Sequence, residues 1–322
     1  MQWSKWIARA LLAFACIPAV AFAQAWPQKP VRLVSPFPAG GGTDAFARPL
    51  AAQLSQQLGQ QFIIDNRSGA GGTIGAEHVA RAPADGYTFL VGAVHHTIAV
   101  SVYAKLGYDL DKDLMPVTLV ALVPNVVVVH PKVPVNSLKE LVAHAKANPN
   151  KLNYASAGNG TSHHLAGELF KTITGAPINH VPYKGAGPAM QDLLGGQVDM
   201  MFDGMGTSGP QIRGQRLRPL AVATATRVSA FPDVPTAAEQ GVSGYLVSTW
   251  YGIWAPTGTP PDIIARLQVE VAKAMQAPNI REIWAQQAAD LGGSTPNDFG
   301  AFVKREVKKW EEVVKAANVR ID

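Results

Sequence analysis

Two kinds of hydrophobic pattern alternate along the first third of the chain. Short apolar runs typical of strands are followed by segments in which apolar residues recur every four positions, as Phe46, Leu50 and Leu54 do. In chain order these segments are 31–34, 43–58, 62–64, 73–82 and 87–91. Strands and helices in this order predict a parallel sheet covered by helices.

A second series with the same order occupies the middle of the chain. It opens at 126–129 with four consecutive valines, a run typical of a strand that is buried on both faces. The segments that follow are 138–147, 152–155, 162–172, 179–181, 188–194, 198–202 and 220–223. Two amphipathic stretches, 262–276 and 297–317, predict covering helices near the end. The pattern indicates an α/β protein built from two units.

The first residues carry the pattern of an export signal. Lys5 and Arg9 precede an apolar run at 11–21, and Ala21 and Ala23 offer the small residues that a signal peptidase requires. The run is about a dozen residues long, whereas a membrane-spanning helix needs about 20. We therefore expect cleavage after Ala23, in preference to a retained anchor.

Composition narrows the possible functions. The single cysteine, Cys16, lies in the expected signal, so a mature chain would have no disulfide, thiolate metal site or cysteine nucleophile. The formal charge of +5 falls to +3 without Lys5 and Arg9, and the basic residues are scattered. A nucleic-acid partner would require a concentrated basic stripe, so we expect none.

The segment 35–44 follows a predicted strand and opens a predicted helix. Three consecutive glycines at 40–42 let the backbone approach a ligand closely, and Thr43 or Asp44 can cap the helix. The free N–H groups of the first helical turn and the helix dipole together favour an anion. The segment predicts an anion site, with a merely flexible loop as the alternative.

Three more glycine-rich loops follow predicted strands. The loop at 67–73 lacks the spacing of a dinucleotide site, because Gly75 comes one residue too late, and it is either tight packing or a ligand-facing loop. The loop at 156–164 belongs to the second unit and can face the first loop across a cleft. In the loop at 183–188, Lys184 either pairs with a carboxylate or is a surface lysine.

Candidate catalytic and metal-binding patterns are weak. The adjacent pairs at 95–96 and 163–164 are not natural chelates, because neighbouring side chains diverge on strands and helices alike, although one histidine of each pair can line a pocket. Asp203 follows a predicted strand and either faces the cleft or caps a turn. No Gly-x-Ser-x-Gly elbow occurs. A Ser-His-Asp triad whose members meet only in the folded protein is the alternative that sequence patterns leave open.

These motifs together resemble the Bug family, the solute receptors of tripartite tricarboxylate transporters. The matching stretches run in the family's order through nearly the whole mature chain. They are Trp26-Pro27-x-Lys29-Pro30-Val31-Arg32, Pro36-Phe37-Pro38-Ala39-Gly40-Gly41-x-Thr43-Asp44, Asn66-Arg67-x-Gly69-Ala70-Gly71-Gly72, Asp85-Gly86-Tyr87-Thr88, Tyr154-Ala155-Ser156-x-Gly158-x-Gly160-Thr161, His180-Val181-Pro182-Tyr183-Lys184-Gly185, Gly195-Gly196-Gln197-Val198-Asp199 and Phe231-Pro232-Asp233-Val234-Pro235-Thr236.

The resemblance implies a two-lobed periplasmic-binding-protein fold, type II-like, with two crossing connections. It implies a small carboxylate ligand (an amino acid, a di- or tricarboxylate, or an aromatic carboxylate) gripped by the first loop and the loop at 156–161. The chain departs from the family at Asp65 and Ser68, which look structural. It also has His95-His96 in a ligand-proximal loop that in the family is often rich in Ser or Asn. Because that loop tends to meet the far end of the ligand in the family, the identity of the ligand is left open.

We therefore expect a signal peptide at 1–23, lobe 1 at 24–125 with 249–322, lobe 2 at 126–248, and the ligand cleft between the lobes. The expected protein is a monomeric periplasmic receptor that needs no cofactor or metal, has no enzymatic activity and delivers its solute to the membrane components of a transporter. The alternatives are a secreted hydrolase or esterase and a ligand sensor without a transport role. The predicted ligand-binding residues are Phe37, Ala39, Gly40, Gly41, Gly42, Thr43, Asp44, His95, His96, Ser156, Ala157, Gly158, Gly160, Thr161, Tyr183, Lys184, Asp203 and Trp250.

Overall fold

The computed structural model describes residues 26 to 321, so the predicted signal peptide lies outside the described residues. The strands are β1 (Val31–Ser35), β2 (Phe62–Asn66), β3 (Thr88–Ala93), β4 (Leu114–Val129), β5 (Asn153–Ser156), β6 (Asn179–Pro182), β7 (Met200–Gly204), β8 (Arg218–Val222), β9 (Ser248–Pro256) and β10 (Asp290–Leu291). The α-helices are α1 (Gly42–Leu58), α2 (Thr73–Ala80), α3 (His95–Val102), α4 (Leu138–Ala147), α5 (Ser162–Thr174), α6 (Ala186–Leu194), α7 (Met205–Arg213), α8 (Pro261–Met275), α9 (Pro278–Ala285) and α10 (Pro296–Ala317).

The strands form one mixed sheet in the order β2-β1-β3-β9-β4-β7-β5-β6, with β8 and β10 also paired to β4. Two parallel groups stand at its ends: β1 with β2 and β3, and β5 with β6 and β7. The pairs β3–β9, β9–β4 and β4–β7 between them are antiparallel. We call the part containing β1, β2, β3 and β9 the first half and the part containing β5 to β8 the second half. The α/β class expected from the hydrophobic pattern is thus the observed one.

The long strand β4 belongs to both halves. Its segment from Leu114 to Pro124 pairs with β9, and its segment from Asn125 to Val129 pairs with β7. The chain therefore passes between the halves twice, on neighbouring antiparallel strands. At this crossing the buried Thr249 hydroxyl donates a 3.0 Å hydrogen bond to the side-chain oxygen of the buried Asn125.

Two hydrophobic cores lie on opposite faces of the sheet, and each extends through both halves. Successive strand residues point to opposite faces, so Val127 and Val129 enter one core while Val126 and Val128 enter the other. Burial on both faces explains the continuous valine run.

Several observed elements differ from the sequence prediction, and three of them lie near the site or the crossing between the halves. Strand β4 begins well before 126, but Pro116 and Pro124 obscure its pattern, and its pairing with β9 shifts register between Pro116 and Thr118. His95 and His96 open helix α3 instead of lying in a loop. Helix α7 was not predicted because Gly206, Gly209 and Pro210 are poor helix formers.

Among residues 26 to 321, none of the helices combines the length and the apolar character needed to cross a membrane.

Two glycine substitutions should affect stability in opposite directions. A Cβ at Gly252 in β9 would overlap the ring of the fully buried Phe299, so Gly252→Ala should lower the free energy of unfolding by about 1–3 kcal/mol. Gly300 lies inside α10, where the nearest atom to an added Cβ is Pro116 Cγ at 3.4 Å. Gly300→Ala should therefore leave stability unchanged or raise it by up to about 1 kcal/mol. Urea unfolding of both variants measures this, and equal losses would contradict the packing described here.

Candidate functional site

Several helices begin at the carboxyl ends of parallel strands, and four of them concern the candidate site. Helix α1 follows β1, and α5, α6 and α7 follow β5, β6 and β7. Their N-cap residues are Gly41, Thr161, Gly185 and Gly204, and none of these makes a side-chain capping hydrogen bond. By contrast, Ser137 caps α4 by accepting from the Glu140 N–H. The strand-end helices thus leave first-turn N–H donors free for a ligand.

The N-termini of α1 and α6 meet across the boundary between the halves. A Cβ at Gly41 would lie 3.5 Å from the Gly187 nitrogen and 3.8 Å from the Ala186 Cβ. A Cβ at Gly71 would come 2.9 Å from the Asn159 carbonyl oxygen, so the loop at 69–72 packs against the second half. This supports the packing interpretation of that loop.

A small cavity of about 30 Å³ lies among these helix ends. Both halves of the sheet contribute to its wall. The lining residues are Phe37, Gly41, Gly42, Thr43, Ala93, His95, Thr249 and Tyr251 from the first half, and Ala157, Thr161, Ser162, His163, Ala186 and Asp203 from the second. Within the described chain, the N–H groups of Thr43 and Ser162 have no acceptor. A carboxylate here could accept from both halves at once.

The first loop is held in shape by Asp44. Its Oδ2 accepts hydrogen bonds from the Gly40 N–H (3.1 Å) and from Arg48 Nε (2.6 Å). Asn66 donates to Asp44 Oδ1 and to the Phe37 carbonyl oxygen. The hydrogen bond from Arg48 to the Asp44 carboxylate raises the pKa of Arg48. Asp44 therefore positions the loop and does not line the cavity.

His95 and His96 stand in different environments. His95 lines the cavity, its ring 4.7 Å from that of Phe37, and its buried Nε2 has no partner in the described chain. Burial, reinforced by His96 and His163, lowers the pKa of His95 well below its usual value. His96 lies behind it, its Nδ1 3.1 Å from the Tyr108 hydroxyl. Burial lowers the pKa of His96 to about 3.

The wall opposite His95 carries His163 and Asp203. His163 Nε2 lies 3.3 Å from Asp203 Oδ1. The Thr207 and Ser208 hydroxyls donate to Asp203 Oδ2 at 2.5 and 2.6 Å. Burial lowers the pKa of His163, and the Asp203 carboxylate opposes that shift. This wall therefore places a buried carboxyl group beside the free amides of α5.

The sequence predicts an aromatic wall of the cleft at 249–251, with burial of Trp250 and Tyr251 in the core as the alternative. In the structure Tyr251 lines the cavity and Trp250 does not. Adjacent strand residues face opposite sides of the sheet. Tyr251 stacks on Phe46 at 4.6 Å and its hydroxyl lies against Gly42. Trp250 points into the other core, where its indole N–H donates to Glu306 at 2.8 Å. The placement of Trp250 at the ligand is corrected accordingly.

The predicted ligand-binding residues divide into two groups. Those on the cavity wall are Phe37, Gly41, Gly42, Thr43, His95, Ala157, Thr161 and Asp203. Those away from it are Ala39, Gly40, Asp44, His96, Ser156, Gly158, Gly160, Tyr183, Lys184 and Trp250. Ala39, Gly40 and Lys184 are exposed, and the Tyr183 hydroxyl donates to Asp192. Ser156, Gly158 and Thr161 hydrogen-bond within their own loop and so shape it.

Six wall residues are absent from the predicted ligand-binding residues, although one histidine of the pair at 163–164 and the segment 249–251 were open candidates: Ala93, Ser162, His163, Ala186, Thr249 and Tyr251. Ser162, His163 and Ala186 lie within the glycine-rich loops at 156–164 and 183–188, where the helices begin, so the helix-opening position was the available signal. Thr249 and Tyr251 flank Trp250, and strand alternation was the signal there.

Among residues 26 to 321, one serine side chain hydrogen-bonds to a histidine side chain, and this pair does not lie on the cavity wall. Ser156 Oγ lies 2.6 Å from His180 Nε2, and burial lowers the pKa of His180 to about 3. Ser156 is fully buried behind the loop. A substrate in the cavity would not reach this pair, so it gives no support to hydrolysis.

The structure was also compared with the expectation of a metal-free protein. Within residues 26 to 321 no group of three or more His, Cys, Asp or Glu side chains is placed to hold a metal ion. A larger hollow of about 760 Å³ lies between the loop at 106–114 and α10, beyond His96. Tyr108 and Trp254 line it, but none of the helix N-termini opens into it.

Comparisons with known proteins identify close relatives. A family model described as "Tripartite tricarboxylate transporter family receptor" matches residues 46–319. Protein BugT of Bordetella pertussis is 39% identical over 312 residues, which cover 96% of each chain.

Two solved structures from Rhodopseudomonas palustris are also similar. Rpa4515 with adipate is 41% identical, with a TM-score of 0.89 over 92% of this chain and 99% of that one. MatC (Rpa3494) with bound malate is 35% identical, with a TM-score of 0.85 over 90% of this chain and all of that one. The structure of the periplasmic binding protein BugD is 38% identical, with a TM-score of 0.88 over 92% of this chain and 99% of that one, which confirms the predicted periplasmic-binding-protein fold.

The buried His96 should make the protein less stable in acid. Its pKa is lowered to about 3 when folded but returns to about 6.5 on unfolding. Protons therefore favour the unfolded state, and stability falls as the pH drops from about 6.5 towards about 3. His96→Gln should reduce the pH slope of the unfolding free energy by up to about 1.4 kcal/mol per pH unit. Urea unfolding between pH 4.5 and 6 measures this slope.

Tyr108→Phe is the matched control, because it removes the other side of the same hydrogen bond but keeps the imidazole. It should lower stability and leave the pH slope close to that of the wild type. An unchanged slope in His96→Gln would show that His96 is protonated in the folded protein.

Proposed function

Because this chain belongs to the tripartite tricarboxylate transporter receptor family, whose members bind solutes and are not enzymes, we propose that it captures a small carboxylate between two lobes and delivers it to a membrane transporter. The observation that carries the proposal is the cavity among uncapped helix N-termini from both halves of the sheet. Amide donors and helix dipoles that converge in this way favour a carboxylate.

The ligands of two relatives support the class of solute. The structure of Rpa4515 contains adipate and that of MatC contains malate, and both ligands are dicarboxylates. We infer that this chain also binds a small carboxylate through the amides of α1 and α5, with Phe37 and Tyr251 as apolar walls.

Lobe movement would admit the solute. We propose that lobe 1 comprises 24–125 with 249–322 and that lobe 2 comprises 126–248. The change of pairing partner in β4 after Pro124 supports this division. A cavity of about 30 Å³ is much smaller than typical ligand pockets of about 300–1,000 Å³. The lobes would therefore open about the β4–β9 crossing and close on the ligand.

The family is one of periplasmic binding proteins, and the export pattern that ends at Ala23 supports a periplasmic location. We further propose that the mature protein is a monomer and presents its closed form to the membrane components of a tripartite tricarboxylate-type transporter. A ligand sensor would use the same cleft, and deletion of the transporter's membrane subunits distinguishes the two roles. Loss of solute uptake supports delivery, whereas unchanged uptake supports sensing.

A panel of carboxylates tests the binding function directly. A ligand at 100 times its Kd stabilises the folded state by about 2.7 kcal/mol, which corresponds to a rise in Tm of about 3–8 °C. At least one mono-, di- or aromatic carboxylate should produce such a shift, with binding confirmed by calorimetry. The corresponding amides and alcohols serve as uncharged controls. A panel without any binding carboxylate would exclude the proposed function.

Two substitutions at Gly41 test the site. Its backbone has φ −87°, which any residue can adopt, and a Cβ there would make only ordinary contacts. Gly41→Ala should therefore weaken carboxylate binding less than about threefold. Gly41→Leu should hold the helix ends apart and weaken it at least about tenfold, which is about 1.4 kcal/mol. Calorimetry on both variants measures this, and equal affinities would place the carboxylate elsewhere.

A further inference from the structure

We infer that the solute carries a hydrogen-bond donor, a hydroxyl or an ammonium group, close to the carboxylate that the helix ends hold, and that Asp203 accepts this hydrogen bond. The inference rests on the proposed function and deepens it, because it narrows the solute from carboxylates in general to 2-hydroxy- or 2-amino-carboxylates.

The first step is the hydrogen bonding of Asp203. Its side chain is fully buried at the end of β7 and lines the cavity. Oδ2 receives two short hydrogen bonds, from the hydroxyls of Thr207 and Ser208. Oδ1 receives none from residues 26 to 321. An ionised carboxylate has room for about four donors, and a buried acceptor without a donor is costly.

The second step is the fixed orientation of this carboxyl group. Thr207 and Ser208 both lie in the first turn and a half of α7 and hold Oδ2 on that side. His163 Nε2 approaches Oδ1 to 3.3 Å, but the contact does not have hydrogen-bond geometry. His163 Nδ1 is likewise buried without a partner within the described chain. The wall thus presents an acceptor that the surrounding side chains do not satisfy.

The third step is distance. The cavity of about 30 Å³ is bounded by Gly42, Thr43 and Ser162 as well as by Asp203. In so small a space, a carboxylate at the helix ends brings the adjacent carbon of the solute next to Asp203. A solute with only C–H groups there would leave Oδ1 unsatisfied and place two negative charges close together. A hydroxyl or ammonium substituent would supply the missing donor.

Matched trios of solutes test the inference without any mutation. Each trio keeps the carbon skeleton and changes only the substituent: succinate, malate and aspartate, then glutarate, 2-hydroxyglutarate and glutamate, then adipate, 2-hydroxyadipate and 2-aminoadipate. For the skeleton that fits the cleft, calorimetry should give a Kd at least about tenfold lower for a substituted member than for the unsubstituted one, since hydrogen bonds to buried charged groups are strong.

The variant Asp203→Asn distinguishes a solute that donates through a hydroxyl from one that donates through an ammonium group. Because the Thr207 and Ser208 hydroxyls hold the one remaining oxygen, the amide NH2 would face the solute. A hydroxyl can accept a hydrogen bond from this NH2, so a 2-hydroxy acid should lose less than about fivefold in affinity, whereas an ammonium group cannot accept and a 2-amino acid should lose at least about tenfold. Asp199→Asn is the matched control: Asp199 precedes β7 at its other end, where it pairs with Lys132 and accepts from the Asn153 N–H. This control should leave the preference for the substituted solute unchanged.

The possible outcomes distinguish a failure of this inference from a failure of the proposed carboxylate-binding function. Equal binding of substituted and unsubstituted members would overturn the role of Asp203 and leave carboxylate capture standing. An equal loss for all members of a trio in Asp203→Asn would overturn it too. If no carboxylate of any trio binds, the proposed function fails, and the inference fails with it.

Discussion

The structure depends on the side-by-side passage of β4 and β9 between the two halves of the sheet. Because these strands are antiparallel neighbours, both connections cross at one place, where Thr249 donates to Asn125 in a buried hydrogen bond. The two hydrophobic cores continue across this line on both faces. A rotation between the halves would thus be concentrated at the crossing. Thr249 also lines the cavity, so the crossing adjoins the proposed ligand site.

The same topology accounts for the chemistry of the cleft. Parallel strands in each half end at the crossing side of the sheet, and helices α1, α5 and α6, which follow three of them, begin with glycine or threonine N-caps that make no side-chain capping bond. Glycine permits the close approach of α1 to α6, since a Cβ at Gly187 would meet the Ala39 carbonyl oxygen at 2.8 Å. A binding site of this kind requires few charged side chains, because the backbone supplies the donors. In the proposed site, the buried Asp203 would then discriminate among the anions that the backbone donors accept.

Sequence patterns predicted the alternating elements and the strand-to-helix loops well, because strands with valine runs and helices with four-residue spacing have distinct periods. They failed where both sheet faces are buried. Trp250 and Tyr251 are both large aromatic residues, and alternation along the strand shows that they face opposite sides without showing which side meets the cavity. The pairing of His163 with Asp203 was also beyond local patterns, since the two residues are distant in the chain and meet only when β5 and β7 pair. Pro116 and Pro124 concealed most of β4.

The central claim is that one carboxylate accepts hydrogen bonds from both lobes. A crystal structure of the protein with a carboxylate that calorimetry has shown to bind tests this most directly. The account predicts carboxylate oxygens within about 2.7–3.2 Å of an amide nitrogen at the start of α1 and of another at the start of α5. A ligand held by one lobe alone, or bound in the hollow beside Tyr108, would contradict it.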